Sequence, residues 1–420
     1  MHIDLLIINA SQIATPIDRG RPCVKNELSD ISIIENGAIA IHNGKILDVG
    51  RTNVLMKKYS ADVIINAENK LVIPGFVDPH THLLFAGYRD DEFVLRLKGI
   101  SYMEIHKRGG GILRTVRMVR KASETKLADE TIKRITRMIL NGTTTFEIKS
   151  GYGLDTKNEL KMLRAIKKIK EFLPVDVIPT FLGAHAIPEN MSAEEYVKII
   201  IEEMIPKVAK EKLAVFNDVF IEGGFTYDQC RSILLAGKEH GLIPKVHADE
   251  FRDANGAKLA AETNAISADH LVNSSEEGLR MLASKKVCGV LLPATSMSVG
   301  SKFANARKMI DLGIPIALGT DLSPACLCES MQMVITLAIH FMKMLPEEAL
   351  TAATLNAAYA IGLRDRGSLE KSKRADIIIL DIPRINFLGY LFGGNLVTHV
   401  IVNGKILVED GKIVSHLKSR

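Results

Sequence analysis

The sequence predicts an α/β fold, a (β/α)8 TIM barrel with a small β-sandwich domain built from both chain termini. Three observations carry this reading. Through the middle of the chain, eight apolar or β-branched runs alternate with amphipathic helical stretches, the rhythm of a barrel or an open parallel sheet. Two nearly identical Asn-Gly hairpin strings lie at opposite ends. The string Ile73-Pro74-Gly75-Phe76-Val77-Asp78-Pro79-His80-Thr81-His82 reads as a buried strand opened by a Pro-Gly turn and closed by two histidines.

Residues 1 to about 66 read as β structure. Leu5 to Ile13 is strand-like, and Ala38 to Leu47 is a hairpin with Asn43-Gly44 as its type I′ turn. Val400-Ile401-Val402-Asn403-Gly404-Lys405-Ile406-Leu407 repeats it. Matching hairpins so far apart predict one small β domain from residues 1–66 and 364–420, flanking a barrel over 67–363. The histidines of this domain, His2, His42, His399 and His416, are expected on or near surface turns.

In the middle, the apolar runs end near His82, Lys149, His185, Gly223, Asp249, His270, Thr295 and Asp321. Helical stretches such as Ala128 to Leu140, Lys157 to Phe172 and Ser192 to Glu211 separate most of them. A doubly wound open sheet is the alternative. No Gly-x-Gly-x-x-Gly follows a strand, which argues against dinucleotide binding.

Composition excludes several functions. The chain has 420 residues, 47% hydrophobic and 25% charged, ample for a large core in a soluble protein. Its 54 basic and 49 acidic residues are too balanced for a nucleic-acid footprint. No apolar run is long enough to cross a bilayer, and Asp4 stands where a signal peptide would be basic. The five cysteines are scattered and odd in number, which fits a reducing compartment, and Cys326-Leu327-Cys328 lacks the second pair a metal site needs. These features describe a cytoplasmic protein with a small-molecule substrate and no nucleic-acid or membrane partner, with a homodimer as the default assembly.

The chemistry gathers at the ends of the runs. Five of the twelve histidines, His80, His82, His185, His247 and His270, fall there, and a barrel would aim all five at one mouth. On an extended strand, the i, i+2 spacing puts the rings of His80 and His82 on one face, about 7 Å apart along the chain. The acids at these ends are Asp249, Glu250, Asp269 and Asp321, with Glu147 inside the second run. Singly, each of these residues is more often a cap or an ion-pair partner; together they mark a site. His106, His240 and His340 sit on helical stretches and read as surface or packing residues.

The simplest site places His80, His82, His247 and Asp321 around one divalent ion, leaving room for a water. Such an ion lowers the pKa of that water from about 15.7 toward about 7. Glu250 and His270 are then left to move protons. Val215 to Glu222 contains no lysine that could supply a bridging carbamate, so one metal is expected, and three nitrogens with one oxygen suit zinc or iron.

These residues resemble the amidohydrolase superfamily. More closely, the whole chain is similar to the imidazolonepropionase family. The similarity lies in Pro79-His80-Thr81-His82-Leu83-Leu84-Phe85-Ala86-Gly87, Arg89, Gly109-Gly110-Gly111-Ile112, Lys149-Ser150-Gly151-Tyr152-Gly153, Gly183-Ala184-His185 and Val246-His247-Ala248-Asp249-Glu250. The resemblance implies hydrolysis of 4-imidazolone-5-propionate to N-formimidoyl-L-glutamate in histidine degradation, with Glu250, His270 and Asp321 catalytic. It also implies substrate contacts from Arg89, Tyr152, His185 and Glu250. Each role suits the side chain: a guanidinium fork for the propionate, a flat phenol and an imidazole for the ring, a carboxylate for the proton. Arg89 has a plainer reading too, an ion pair with Asp90, Asp91 or Glu92.

One stretch departs from that family. Asp321-Leu322-Ser323-Pro324-Ala325-Cys326 stands where Asp-x-Asn-Pro-Gly is usual, so Ser323 takes the place of a substrate-binding amide and Ala325 lacks the backbone freedom of glycine. Gly109 to Gly111 is expected to be a flexible loop over the mouth. Two other functions compete. A purine or pyrimidine deaminase would use the same metal water without needing an arginine, and a non-catalytic barrel module should have lost ligands that are all present here.

Overall fold

The computed structural model describes residues 1–100, 104–105 and 108–414. His106 and His416 therefore lie outside the described residues. Both hairpin turns form: Asn43 and Gly44 have φ of 52° and 74°, and Asn403 and Gly404 have 50° and 75°. Positive φ at both central residues is the type I′ geometry, which asparagine and glycine tolerate best. The two turns also meet. Ala375 donates its N–H to Gly44 and accepts one from Gly404, at 2.9 and 3.0 Å, so one residue staples the two ends of the chain together.

The terminal strands form a mixed nine-stranded sheet. In spatial order these are Lys412–Ile413, Lys405–Glu409, Val397–Val402, Ile377–Leu380, Leu71–Pro74, His2–Pro16, Ile31–His42 and Lys45–Arg51, with Ser60–Asn66 pairing alongside His2–Pro16. Leu71–Pro74 pairs with both Ile377–Leu380 and His2–Pro16, so the amino-terminal part of this sheet runs on past residue 66. The chain then passes through Gly75 into the barrel. His2 and His42 are partly exposed and pair with Asp62 and Asp4. His399 does not follow the surface expectation. It is buried, because its strand is covered on both faces, with Val400 and Val402 packed into the main core and Ile401 into the small domain's own core.

The barrel strands are Phe76–Asp78, Thr143–Lys149, Asp176–Ala184, Phe216–Phe220, Ile243–Ala248, Ser267–His270, Cys288–Leu291 and Ile316–Leu318. They pair in sequence order, all parallel. Closure between the first and last comes from chain beyond the strands themselves. Asp321 N–H donates to His80 O at 3.1 Å, and His82 N–H to Leu322 O at 2.9 Å. These bonds exclude the open-sheet alternative. They also show that His80 and His82 sit just past the first strand, their backbone held by the chain that carries Asp321.

At the opposite end, Arg366 of the carboxy-terminal segment ties the small sheet to the barrel. Its guanidinium donates to Thr145 Oγ1 at 3.0 Å and Asp176 Oδ2 at 2.5 Å, and Arg374 also donates to Asp176. Thr145 and Asp176 lie toward the amino-terminal ends of the second and third strands, the face of a barrel associated with stability.

Candidate active site

Barrel interiors are usually filled with branched apolar side chains. Here the layer beneath the mouth holds Glu147, Lys149, Asp218, Lys245 and Asp269, all fully buried. Lys149 Nζ donates to Glu147 Oε1 at 2.8 Å and Asp218 Oδ2 at 2.9 Å, and lies 3.9 Å from Asp269 Oδ2. Lys245 Nζ donates to Pro79 O and lies 3.5 Å from Asp269 Oδ2. Burial alone would strip the proton from Lys149, but Asp218, Glu147 and Asp269 outweigh it and hold the ammonium above its usual range. Three carboxylates against two ammoniums leave this layer one negative charge, and buried charge persists only when it is answered.

The histidines above answer to that layer. His80 Nδ1 is 2.6 Å from Asp269 Oδ2, and His247 Nδ1 is 3.1 Å from Asp218 Oδ2. In each pair the ring N–H donates to the carboxylate, which leaves the Nε2 lone pair facing inward, the usual support for a metal-binding imidazole. His80 Nε2 is buried with no hydrogen-bond partner, and His82 Nε2 lies 3.2 Å from His247 Nε2. Asp321 Oδ1 is 3.5 Å from both His80 Nε2 and His82 Nε2, while its other oxygen accepts from Thr295 Oγ1 at 2.6 Å.

Donor atoms of His80, His82 and His247 lie within 4.8 Å of one another, as do those of His80, His270 and Asp321. These residues fit a divalent ion: an orphaned ring nitrogen, two facing nitrogens and a free carboxylate oxygen converge above a layer with excess negative charge. Burial, together with the positive charges around them, drives the pKa of His80, His82 and His270 well below the ordinary histidine value, so these rings are neutral, as metal binding requires. Burial raises Asp321 to about 6.

Around this cluster opens a cavity of about 350 Å3. It is lined by Arg89, Tyr152, His185, Glu250, His270 and Ser323, so every side chain the sequence singled out for substrate or proton transfer meets there. Arg89 lies just past the His82 segment, which Arg134 fixes by donating to Leu83 O and Phe85 O, both at 3.0 Å, with its guanidinium over the Phe85 ring. Arg89 Nη1 is 3.8 Å from Glu92 Oε2, so the plainer ion pair forms in part, but its buried Nε has no partner. His185 stacks on His82, with ring centroids 4.9 Å apart, and its Nδ1–H donates to Gly151 O at 2.9 Å. Burial pushes His185 down to about 3, so a neutral Nε2 with a free lone pair faces the cavity.

Glu250 Oε2 is 3.9 Å from His270 Nε2. Burial first, then the carboxylates of Asp321 and Glu222, raise its pKa well above the usual glutamate value, so it holds a proton more tightly than an exposed acid. Asp249 plays a different part. Its carboxylate accepts from the N–H groups of Ala254, Gly256 and Ala257 and from Ser274, which makes it a structural brace. Ser323 forms a tight turn with Cys326 through reciprocal backbone bonds of 2.9 and 3.1 Å. Ala325 is not among the residues with positive φ, so this turn does not need glycine.

Gly109 lies in a turn and Gly110 in no helix or strand, as expected of a loop, but Gly111 begins a helix, Gly111–Lys121, and its N–H donates to both oxygens of Glu92. This end of the run is therefore pinned to the helix Asp90–Leu97 that follows Arg89. The sequence marks Lys149 and Thr295 only as ends of runs and gives no role to them or to Asp218 and Lys245. A signal for Lys149, Asp218 and Lys245 was present: charged residues inside strands expected to be buried on both faces.

Nitrogen and oxygen donors meeting at the mouth of a closed parallel barrel define a class, the metal-dependent barrel hydrolases, and comparison with known proteins narrows it. The model of the amidohydrolase family matches residues 71–407. An imidazolonepropionase of Geobacillus kaustophilus (strain HTA426) is 46% identical over 97% of this chain and 99% of its own length. One of Alkaliphilus oremlandii (strain OhILAs) is 44% identical over 99% of this chain and 100% of its own. Among solved structures, an adenosine deaminase from Xanthomonas campestris with bound zinc superposes with a TM-score of 0.74 at 18% identity, over 99% of this chain and 95% of that one. E. coli guanine deaminase gives 0.75 at 15%, over 96% and 99%. At such identities these two structures support the fold alone. The chain belongs to the amidohydrolase family, in its imidazolonepropionase branch.

Proposed function

We propose that the protein hydrolyses the ring C–N bond of 4-imidazolone-5-propionate, yielding N-formimidoyl-L-glutamate in histidine degradation. One observation carries this reading: a single cavity, sized for a small ring acid, holds both the donor cluster and the buried guanidinium of Arg89. The full-length relatives named above support the same substrate.

One divalent ion, zinc or iron, held by His80, His82, His247 and Asp321, would supply Lewis acidity at the ring carbonyl and an acidified water. The side chains do the rest. Arg89 clamps the propionate and so fixes which ring atom meets the donor cluster. Tyr152 covers the ring, and the neutral Nε2 of His185 accepts a ring N–H. Ser323 adds a hydroxyl to the lining of the cavity. Glu250 takes the proton of the attacking water and, with its raised proton affinity, returns it to the departing ring nitrogen, with His270 assisting.

The small domain is read as residues 1–66 and 364–420 joined by the strand Leu71–Pro74, with the barrel beginning after it and running to 363. The balanced charge supports a cytoplasmic enzyme without nucleic-acid partners, and among the described residues no helix is long and apolar enough to cross a membrane. Exposed Phe341, Tyr390, Leu391 and Phe392 support a homodimer.

The test is to give imidazolone propionate to protein loaded with zinc or iron. Its ring absorbance should decay, and chelation should stop the decay. Metal-replete protein that leaves the compound intact overturns the proposal.

A further inference from the structure

The Ser150–Leu154 turn carries Tyr152 and the carbonyl that orients His185, yet it contains two glycines and belongs to no helix or strand. What holds it is a fully buried carboxylate. Glu159, in the first turns of the helix Thr156–Phe172, accepts three backbone N–H groups: Gly151 at 3.0 Å, Gly153 at 2.6 Å and Leu154 at 2.9 Å. The carbonyls of the same turn are held from the other side. Arg120 donates to Gly153 O at 2.8 Å and Leu154 O at 3.1 Å. The fit leaves no slack, since a Cβ on Gly153 would stand 2.4 Å from the backbone nitrogen of Glu159 and 2.8 Å from its Oε1.

The consequences reach the cavity through two routes. Fixing the turn fixes the Tyr152 ring, which lies 5.8 Å from His82 and 5.2 Å from His185, centroid to centroid. It also fixes Gly151 O, the acceptor for His185 Nδ1–H. That bond decides which ring nitrogen of His185 keeps its lone pair for the substrate. A carboxylate is suited to this task because it only accepts and has lone pairs enough for three donors, whereas an amide would set an NH2 against a backbone N–H.

We infer that Glu159, which does not line the cavity, is a positioning residue for substrate binding, setting Tyr152 and the tautomer of His185 through the backbone of the Gly151–Leu154 turn. The same device recurs nearby: Glu222 accepts the N–H groups of Glu250, Phe251 and Arg252, so backbone-binding carboxylates brace more than one loop of the mouth.

The inference rests on the substrate proposed above, and its test separates the two. Wild type and Glu159→Gln are loaded with metal, and metal content, kcat and KM for imidazolone propionate are measured, along with the affinity for imidazole-4-propionate as a non-hydrolysed probe. The same substitution is then made in a His185→Asn background. The expected result is unchanged metal content, KM and probe Kd raised tenfold or more, kcat changed less than KM, and at most a threefold further effect in the His185→Asn background. Gly153→Ala, which strains the clamp from the loop side, should shift KM in the same direction and serves if Glu159→Gln does not fold. A KM and probe Kd within twofold of wild type overturns the role of Glu159, and an equal loss in both backgrounds overturns its action on the tautomer of His185. A wild type that neither binds the probe nor turns over the substrate overturns the substrate reading instead.

Discussion

His82 Nε2 and His247 Nε2 face each other at 3.2 Å, although the two residues are 165 positions apart in the chain. Two lone pairs cannot share that space without a proton or a cation between them. His80 Nε2, buried beside them without a partner, makes a cation the better answer.

The first prediction concerns that cation. Replacing His80 and His82 together with alanine should abolish bound metal and activity. Asp269→Asn keeps the size of the group behind His80 but removes its charge, and should weaken metal affinity by about 10- to 100-fold. Metal analysis of the purified variants checks both, and full occupancy in the double variant would count against the site.

Arg89→Met should leave the fold intact, because Glu92 keeps Gly111 and Arg114 as partners. Losing one charge-assisted contact costs about 1.5–3 kcal/mol, or roughly 10- to 150-fold in kcat/KM. The loss should appear with the propionate substrate and be small with an analogue bearing an uncharged tail. Equal losses on the two would make the guanidinium structural.

Glu250→Gln keeps shape and removes basicity. Metal should stay bound while kcat falls by about 10²- to 10⁴-fold, as expected for loss of a general base. Loss of metal from this variant would instead assign Glu250 to the support of the ion.

A fourth prediction separates stability from catalysis. Arg366 is buried at the end of the barrel away from the mouth, and Arg366→Met leaves Asp176 and Asp376 short of their counter-charge. Because Asp176 is a third exposed and Arg374 remains beside both acids, the loss should be about 1–3 kcal/mol, read by denaturant titration, with little change in activity per folded molecule. Burial alone would raise the pKa of Asp176, but Arg366 and Arg374 outweigh it and hold it below the usual value. A depressed carboxylate stabilises above its unfolded pKa of about 3.9 and loses that stabilisation as pH falls. The gap between wild type and variant should therefore narrow below about pH 4.

Much of this was legible in the sequence because the signals are local. Asn43-Gly44 and Asn403-Gly404 announce their turns, apolar runs announce eight strands, and histidines at the run ends announce a mouth. What stayed hidden depends on contacts across the barrel. Glu159 sits among Thr156, Lys157 and Asn158 and looks like a solvated helix residue, yet it is fully buried. Asp249 reads as chemistry beside His247 and Glu250, but its carboxylate is spent on backbone N–H groups. Asp249, His270 and Asp321 all adopt positive φ, at 57°, 76° and 49°, a conformation that non-glycine residues keep only where surroundings impose it. Nothing in their own sequence signals that.

Ring opening keeps the expelled nitrogen tethered to the product, whereas deamination releases it as ammonia. The most direct measurement is a product balance on metal-loaded protein given imidazolone propionate in one vessel and purine or pyrimidine bases in others. Ring absorbance should vanish with imidazolone propionate, one new carboxylate should form per molecule consumed, and no ammonia should appear in any vessel. Stoichiometric ammonia from a base, with imidazolone propionate left intact, would contradict it.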